Sequence, residues 1–552
     1  MTSSDEKVEF SLENEEFVTS GIEEDRIKID AHTGVYDGVQ RKMKQRHIQM
    51  IALAGTLGTG LFLGSGKAIA YAGPAGALIA YTHVGTIVYC MIMSLGEMMC
   101  YMPISGGYVH FATRFLDPAL GFALGWLQWY GGIVTLPAEI IGATLIITFW
   151  DSGPNGSGLS IPHMAGYITL LLFLCTTVNF LGVRWFGESE FIFAIIKIML
   201  VIGCVVGGLI IDLGGAPGHD RIGFRYWKNP GAFAPFIEPG NTGKFLGWFQ
   251  TLLQAAYSFL GMESIAMAAA EVQNPRRALP KAVKRVFYRI LAFYVLAILI
   301  VGMLVPYTDP QLLQSTGNAA SSPFVLAMTR VGIKGLPSVI NAAVLSSAFS
   351  AANSLLYFSS RQLYGLALRG QAPRIFAKTT KNGLPITALA FTSVWILLAY
   401  MALSQGASTV LNWMSNLIAI LGFATWAIIS LTYIRFYHGL KHQGIDRSKF
   451  GYYNRWQPFP AYWALIWSII IILFNGWPVF LKGAWKSTDF VIAYINIPIF
   501  VVLYGAYKII RKSSIVTLEA MDFHSNVPTP EMVDFEAATP KTLAGRFAKW
   551  LF

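Results

Sequence analysis

Stretches of about 20 predominantly apolar residues recur along this chain, each bounded by charged or turn-forming clusters, and that is the length a helix needs to cross a hydrocarbon core. About twelve can be placed, near residues 48–70, 75–100, 119–150, 163–182, 189–212, 247–271, 286–306, 337–366, 386–404, 410–435, 461–482 and 489–511. The pattern predicts an all-α membrane protein in three parts: a disordered tail over 1–45, a transmembrane domain over 46–512 and a C-terminal tail over 513–552.

Composition agrees. Of 552 residues, 54% are hydrophobic and 13% charged, with a mean hydropathy of +0.51, whereas a soluble domain carries roughly 25% charged residues. A soluble chain could not bury so much apolar surface. Cys90, Cys100, Cys175 and Cys204 all fall inside expected spans without CxxC spacing, so they read as small packing residues rather than metal ligands or a disulfide framework. The net charge of +11 does not indicate nucleic acid, because the basic residues are spread over short loops instead of forming one face with aromatic platforms.

Their distribution reports orientation. Arg41, Lys42, Lys44 and Arg46 precede the first span, Arg276, Arg277, Lys281, Lys284 and Arg285 follow the sixth, and Arg369, Arg374, Lys378 and Lys381 follow the eighth. Under the positive-inside rule, an even number of spans puts both termini in the cytosol. Residues 1–40 are rich in Asp and Glu, so no cleavable signal peptide is expected. Asn155-Gly156-Ser157 is a glycosylation acceptor pattern in an expected outer loop, although three residues match often by chance.

The first span reads IALAGTLGTGLFLGSG, with Gly55, Gly58, Gly60, Gly64 and Gly66 in what would otherwise be continuous helix. Each mid-helix glycine costs about 1 kcal/mol relative to alanine. Two readings are open: an unwound stretch lining a cavity, or close helix packing through the Gly60–Gly64 spacing. An unwound stretch would suit a zwitterion, since the N-terminus of a resumed half-helix favours a carboxylate and the carbonyls before the break accept from an ammonium. The sixth span, AAYSFLGMESIAMAAAEVQNPRR, sets Gly261 beside Glu263 in an apolar run. Paired discontinuities five spans apart point to a midplane site in an inverted repeat of five helices plus five, with two extra helices.

The motifs RHIQMIALAGTLGTGLFLGSG, SLGEMMCYMPISGGY, LPAEIIGA, GESEFIFAIIKI, FLGMESIAMAAAEVQNPRRALPKA, GLPSVINA and SAANSLLYFSSRQLYGLALRGQAP run in order from about residue 41 to about 512. In them the chain resembles a fungal amino acid permease of the yeast amino acid transporter family, within the amino acid-polyamine-organocation superfamily. The resemblance implies alternating access and uptake driven by the proton gradient at the plasma membrane, with no other cofactor. It places the substrate carboxylate on amides around Gly58, Thr59 and Gly60, with Thr56 beside them, and the α-ammonium on carbonyls near Ser258 and Phe259 before Gly261. Phe259 matches an aromatic position that covers the substrate; read alone, it is one of 37 Phe that could simply pack.

In related transporters a lysine in the fifth span resembles a built-in substitute for sodium, which makes Lys197 the proton-coupling candidate. The other reading is a lysine snorkelling to the interface. Glu263 is a second candidate for a substrate or proton role, since intramembrane carboxylates are expensive. Glu139 follows Pro137 and could satisfy loosened backbone, Glu97 could pair with a basic loop residue, and Asn353 and Ser354 could reach the cavity or bind helices together.

Apart from Lys197 the central spans offer almost no cation, which favours neutral or broadly selected amino acids over acidic ones. The phrase HDRIGFRYWKNPGAF somewhat resembles dicarboxylic permeases, so that class stays open, as do a sensor or an exchanger of the same fold. No HExxH, GxSxG or phosphate loop stands in the context an enzyme requires. Lys7 and Lys28 lie in the acidic tail, where the resemblance implies removal through a ubiquitin-ligase adaptor. The closing RFAKWLF is expected on the inner membrane surface.

Overall fold

The computed structural model describes residues 59–62, 64–102, 107–151, 159–264, 266, 288, 293–313, 322–380, 383–449 and 452–525. Among these every regular element is helical. The chain is an all-α membrane protein in which eight described helices are long and apolar enough to cross a bilayer, or nine if one bent pair counts as a span. Parts of the first, sixth and seventh expected spans lie outside the described residues, as do the tail over 1–45 and residues 526–552.

The first described elements form a hairpin. α1 (Thr59–Phe62) leads into α2 (Gly64–Tyr101), which breaks into two arms at Gly73, with φ 72° and ψ 173°, followed by Pro74. Ser258 shows that the arms run back along each other. A Cβ on Gly60 would lie 2.9 Å from Ser258 Cα, and the Tyr81 hydroxyl on the other arm lies 3.1 Å from Ser258 Oγ. Only glycine suits the turn, because its φ is left-handed and a Cβ would meet Ala234 N at 2.6 Å. The Ala75 N–H donates to Ala232 O and the Ala234 N–H to Ala72 O, so the backbone exposed by the turn is satisfied inside an apolar bundle.

After a short helix α3 (Gly107–Phe115), α4 (Pro118–Ile147) starts at Asp117, whose carboxylate caps Ala119 N–H at 2.9 Å, with proline in the first turn. Then follow α5 (Ile161–Phe180), α6 (Val183–Asp212), α7 (Gly240–Phe259), α8 (Phe293–Leu304), α9 (Pro323–Arg330) and α10 (Leu336–Leu368). Next come α11 (Ile386–Gln405), α12 (Ala407–His442), α13 (Phe459–Phe480), and the pair α14 (Ser487–Tyr494) and α15 (Asn496–Arg511), bent by 44°. α2 lies against α7 and α4 against α10, and their facing side chains form the core. α5 and α6 turn Phe173 and Met199, each more than 60% exposed, outward to where lipid lies.

α6 begins six residues before the expected start of its span, which moves Lys197 deeper into the bundle. The expected boundary at residue 512 marks no change in packing. Residues 513–525 lie against the bundle: Val516 N–H donates to Leu116 O, Gln443 of α12 donates to the carbonyls of Leu518, Glu519 and Met521, and Tyr101 OH donates to Phe523 O.

Candidate functional site

α7 stops in the middle of the bundle. After Phe259, Leu260 turns extended (φ −60°, ψ 147°), Gly261 takes φ +88°, and Met262–Ser264 form one 3-10 turn. Gly261 enters the left-handed region at little cost, which a side chain would not. Its carbonyl accepts from Ser264 N–H at 3.0 Å. The buried Glu263 carboxylate accepts from Trp426 Nε1 of α12 at 3.2 Å and has the backbone N–H groups of Gly261 and Glu263 within reach. The broken backbone thus keeps partners without water, as hydrocarbon surroundings demand.

The facing wall is the start of the hairpin. Of the residues expected around the first break, Thr56 and Gly58 lie outside the described residues, Thr59 opens α1, and Gly60 packs on Ser258. Ser258 Oγ also donates to Gln254 O at 3.2 Å. Phe259 is fully buried, between Tyr81 with centroids 6.2 Å apart and Tyr294 of α8 at 4.8 Å. Three aromatic rings therefore line the last turn before the break.

Beside this wall lies a cluster of buried ionisable groups. Lys197 of α6 is fully enclosed, with Glu190 and Glu139 near enough for their charges to act on it. Burial of the ammonium inside the protein leaves no room for the interface position that a snorkelling side chain would take. Glu190 accepts from Ser350 Oγ at 2.7 Å and Asn353 Nδ2 at 3.0 Å, both on α10. Asn353 Oδ1 in turn accepts from Asn179 Nδ2 of α5 at 2.7 Å. Glu139 accepts from Tyr257 OH at 3.1 Å, two residues before the end of α7. A polar path thus joins α5, α10, α6 and α4 to the broken helix. Ser354 is buried next to Asn353, its hydroxyl without a partner among the described residues.

Two further residues belong here that the sequence alone did not single out. Glu190 stands inside GESEFIFAIIKI, and its seven-residue spacing from Lys197 puts both on one helical face; that spacing was the available signal. Lys67 lies in α2 and donates to Asn412 Oδ1 of α12, so the spans do hold a cation beyond Lys197. Glu97 stands apart from the site at the far end of α2, where Arg447 grips both carboxylate oxygens at 2.6 and 3.0 Å. Asn155 lies outside the described residues.

A cavity of about 550 Å³ opens elsewhere, walled by Val134, Leu398, Trp413, Leu417 and Val491 among others. Its lining is mostly apolar and carries no charged side chain, with Ser487 and Thr488 contributing hydroxyls. Among the described residues no group of three His, Cys, Asp or Glu is placed to hold a metal, and the four cysteines are free thiols.

The amino acid permease family model matches residues 47–519. The chain is similar to the dicarboxylic amino acid permease of Saccharomyces cerevisiae, at 39% identity over 88% of this chain and 80% of that one. It is similar to the proline-specific permease of Emericella nidulans, at 40% over 87% and 86%, and to the basic amino-acid permease of Saccharomyces cerevisiae, at 38% over 88% and 84%.

Proposed function

Because the chain belongs to the amino acid permease family and is therefore a multi-pass transporter of amino acids rather than an enzyme, we propose that it is a proton-driven symporter taking up neutral or a broad range of L-amino acids. The observation that carries this reading is the break at Leu260–Gly261, set against the hairpin arm at Gly60. Peptide groups released from a helix at that depth are a means of gripping the two charged ends of a small zwitterion. The substrate carboxylate takes the N–H groups around Thr59 and Gly60, the ammonium takes carbonyls at the end of α7, and Phe259 closes over the side chain.

The Lys197 cluster supplies the coupling. With Lys197 protonated, its charge attracts Glu139 and Glu190, holding α6 to α4 and, through Asn353 and Ser350, to α10. Loss of that proton leaves the Glu139 and Glu190 carboxylates without their cation, which biases the bundle toward its other open state. The loops rich in Lys and Arg, and with them both termini, face the cytosol, and the membrane is the plasma membrane.

The test is uptake by a permease-deleted yeast strain across all twenty amino acids, with and without a protonophore. Accumulation against a gradient should vanish with the proton gradient, while exchange of preloaded substrate persists. Accumulation that survives the protonophore removes proton symport. A Lys197→Ala variant that still concentrates substrate removes the coupling assignment alone.

A further inference from the structure

Lys67 has no task in the scheme above, and its surroundings are unusual for a cation at that depth. It sits on the same face of the hairpin arm as Gly60 and Gly64, at the three- and seven-residue spacings that stack side chains along one side of a helix. That face looks at α7: Gly60 packs on Ser258, and a Cβ on Gly64 would lie 3.8 Å from Gln254 Oε1. The half-buried ammonium reaches across to α12 and donates to the neutral Asn412 amide oxygen. Among the described residues no carboxylate pairs with it. Glu97 and Asp117, by contrast, each have a cation as partner, Arg447 and Lys508. A charge held by a neutral amide inside a membrane domain is costly and marks function.

The distance fits the substrate site. Seven residues at 1.5 Å each put Lys67 roughly 10 Å along the helix from Gly60, and helix side chains lean toward the N-terminus of their helix, here toward Gly60. Released from Asn412, the four-carbon stem is long enough to reach back toward the place where an amino acid bound at Gly60 would extend its side chain. We propose that Lys67 reads the side-chain carboxylate of acidic amino acids, which displaces the Asn412 amide as acceptor and so brings glutamate and aspartate into the substrate range. This rests on the reading of the Gly261 break and the facing arm at Gly60 as the amino acid site.

The experiment measures uptake of labelled L-glutamate and its neutral counterpart L-glutamine by wild type, Lys67→Gln, Lys67→Arg and Asn412→Ala, each corrected for surface abundance. Replacing a charge-assisted bond should raise the KM for glutamate about tenfold more than that for glutamine in Lys67→Gln. Lys67→Arg should restore most of the difference, and Asn412→Ala should lower the glutamate KM or leave it. A second measurement needs no variant: glutamate should inhibit glutamine uptake by wild type about tenfold better than its uncharged γ-methyl ester does. Equal effects on both substrates in Lys67→Gln, or equal inhibition by acid and ester, overturn the proposal and leave Lys67 a helix-to-helix tie. Uptake of glutamine without glutamate removes the proposal alone. Absence of all amino acid uptake removes the transport reading and the proposal together.

Discussion

Glu190 and Lys197 stand two turns apart on α6, both fully buried, with the Glu190 carboxylate held by Ser350 and Asn353 of α10. In the proposed coupling, α6 is the helix on which a proton would be felt and α10 the helix to which the change would pass. Glu190→Gln keeps the shape and both hydrogen-bond positions but removes the charge beside Lys197. The expected outcome is a shifted pH profile of concentrative uptake, with exchange of preloaded substrate retained. An unchanged profile at normal surface abundance would show that Glu190 only ties helices together.

The contact of Gly60 with Ser258 gives a steric prediction. A methyl group at position 60 would come within 2.9 Å of backbone, which cannot swing aside as a side chain could. Gly60→Ala should reach the membrane yet lose about a hundredfold in Vmax/KM, the order expected for displacing a binding element by about an ångström. The control is Gly166→Ala, where a Cβ meets nothing within 4 Å and uptake should stay near wild type.

How far the sequence carries can be judged at these same positions. The all-helical membrane fold and the family follow from apolar length and from motif order, which need no tertiary knowledge. Gly261 announces its break because an apolar helix has little use for a glycine beside a carboxylate unless the helix opens there, and the hairpin turn at Gly73-Pro74 falls in the gap between the first two expected spans. Glu190 and Lys67 were not legible as members of the site. Their meaning depends on partners far along the chain, Ser350 and Asn353 for one and Asn412 for the other. The role of Glu263 is likewise visible only once Trp426 and the amides of its own break surround it.

Arg447 clamps Glu97 in a bidentate pair where the carboxylate is fully buried and the guanidinium largely so, with Tyr433 OH accepting a further bond at 3.1 Å. Removing one member of a buried pair strands the other charge, so Arg447→Ala should cost about 3 kcal/mol or more. The double variant Glu97→Gln with Arg447→Ala should recover part of that loss, since no charge is then left unpaired. Thermal unfolding of the detergent-purified protein reads both. Additive losses would mean that the pair contributes no coupling.

The segment after α15 makes the last prediction. Phe523 is fully buried among Phe115, Tyr101 and Phe436, and Arg114 of α3 pairs with Asp522 at 2.8 Å. Burial alone would raise the Asp522 carboxyl, but hydrogen bonds from Ser525 and the His524 backbone and the Arg114 charge outweigh it and hold the group well below the usual carboxylate range. The sign follows from linkage: a depressed carboxyl contributes stability above its unfolded value of about 3.9 and loses it only as pH falls through the lower folded value. Acidification from pH 7 to 5 should therefore leave the segment docked, read as unchanged protease resistance of a tag placed after residue 525. Phe523→Ala should release it at neutral pH, because truncating a fully buried phenylalanine costs about 3 kcal/mol or more. Arg114→Ala should instead move the release to a higher pH than in wild type, since Asp522 then titrates closer to an ordinary carboxyl. Release of the wild-type segment at pH 5 would show that the Asp522 pair does not hold it.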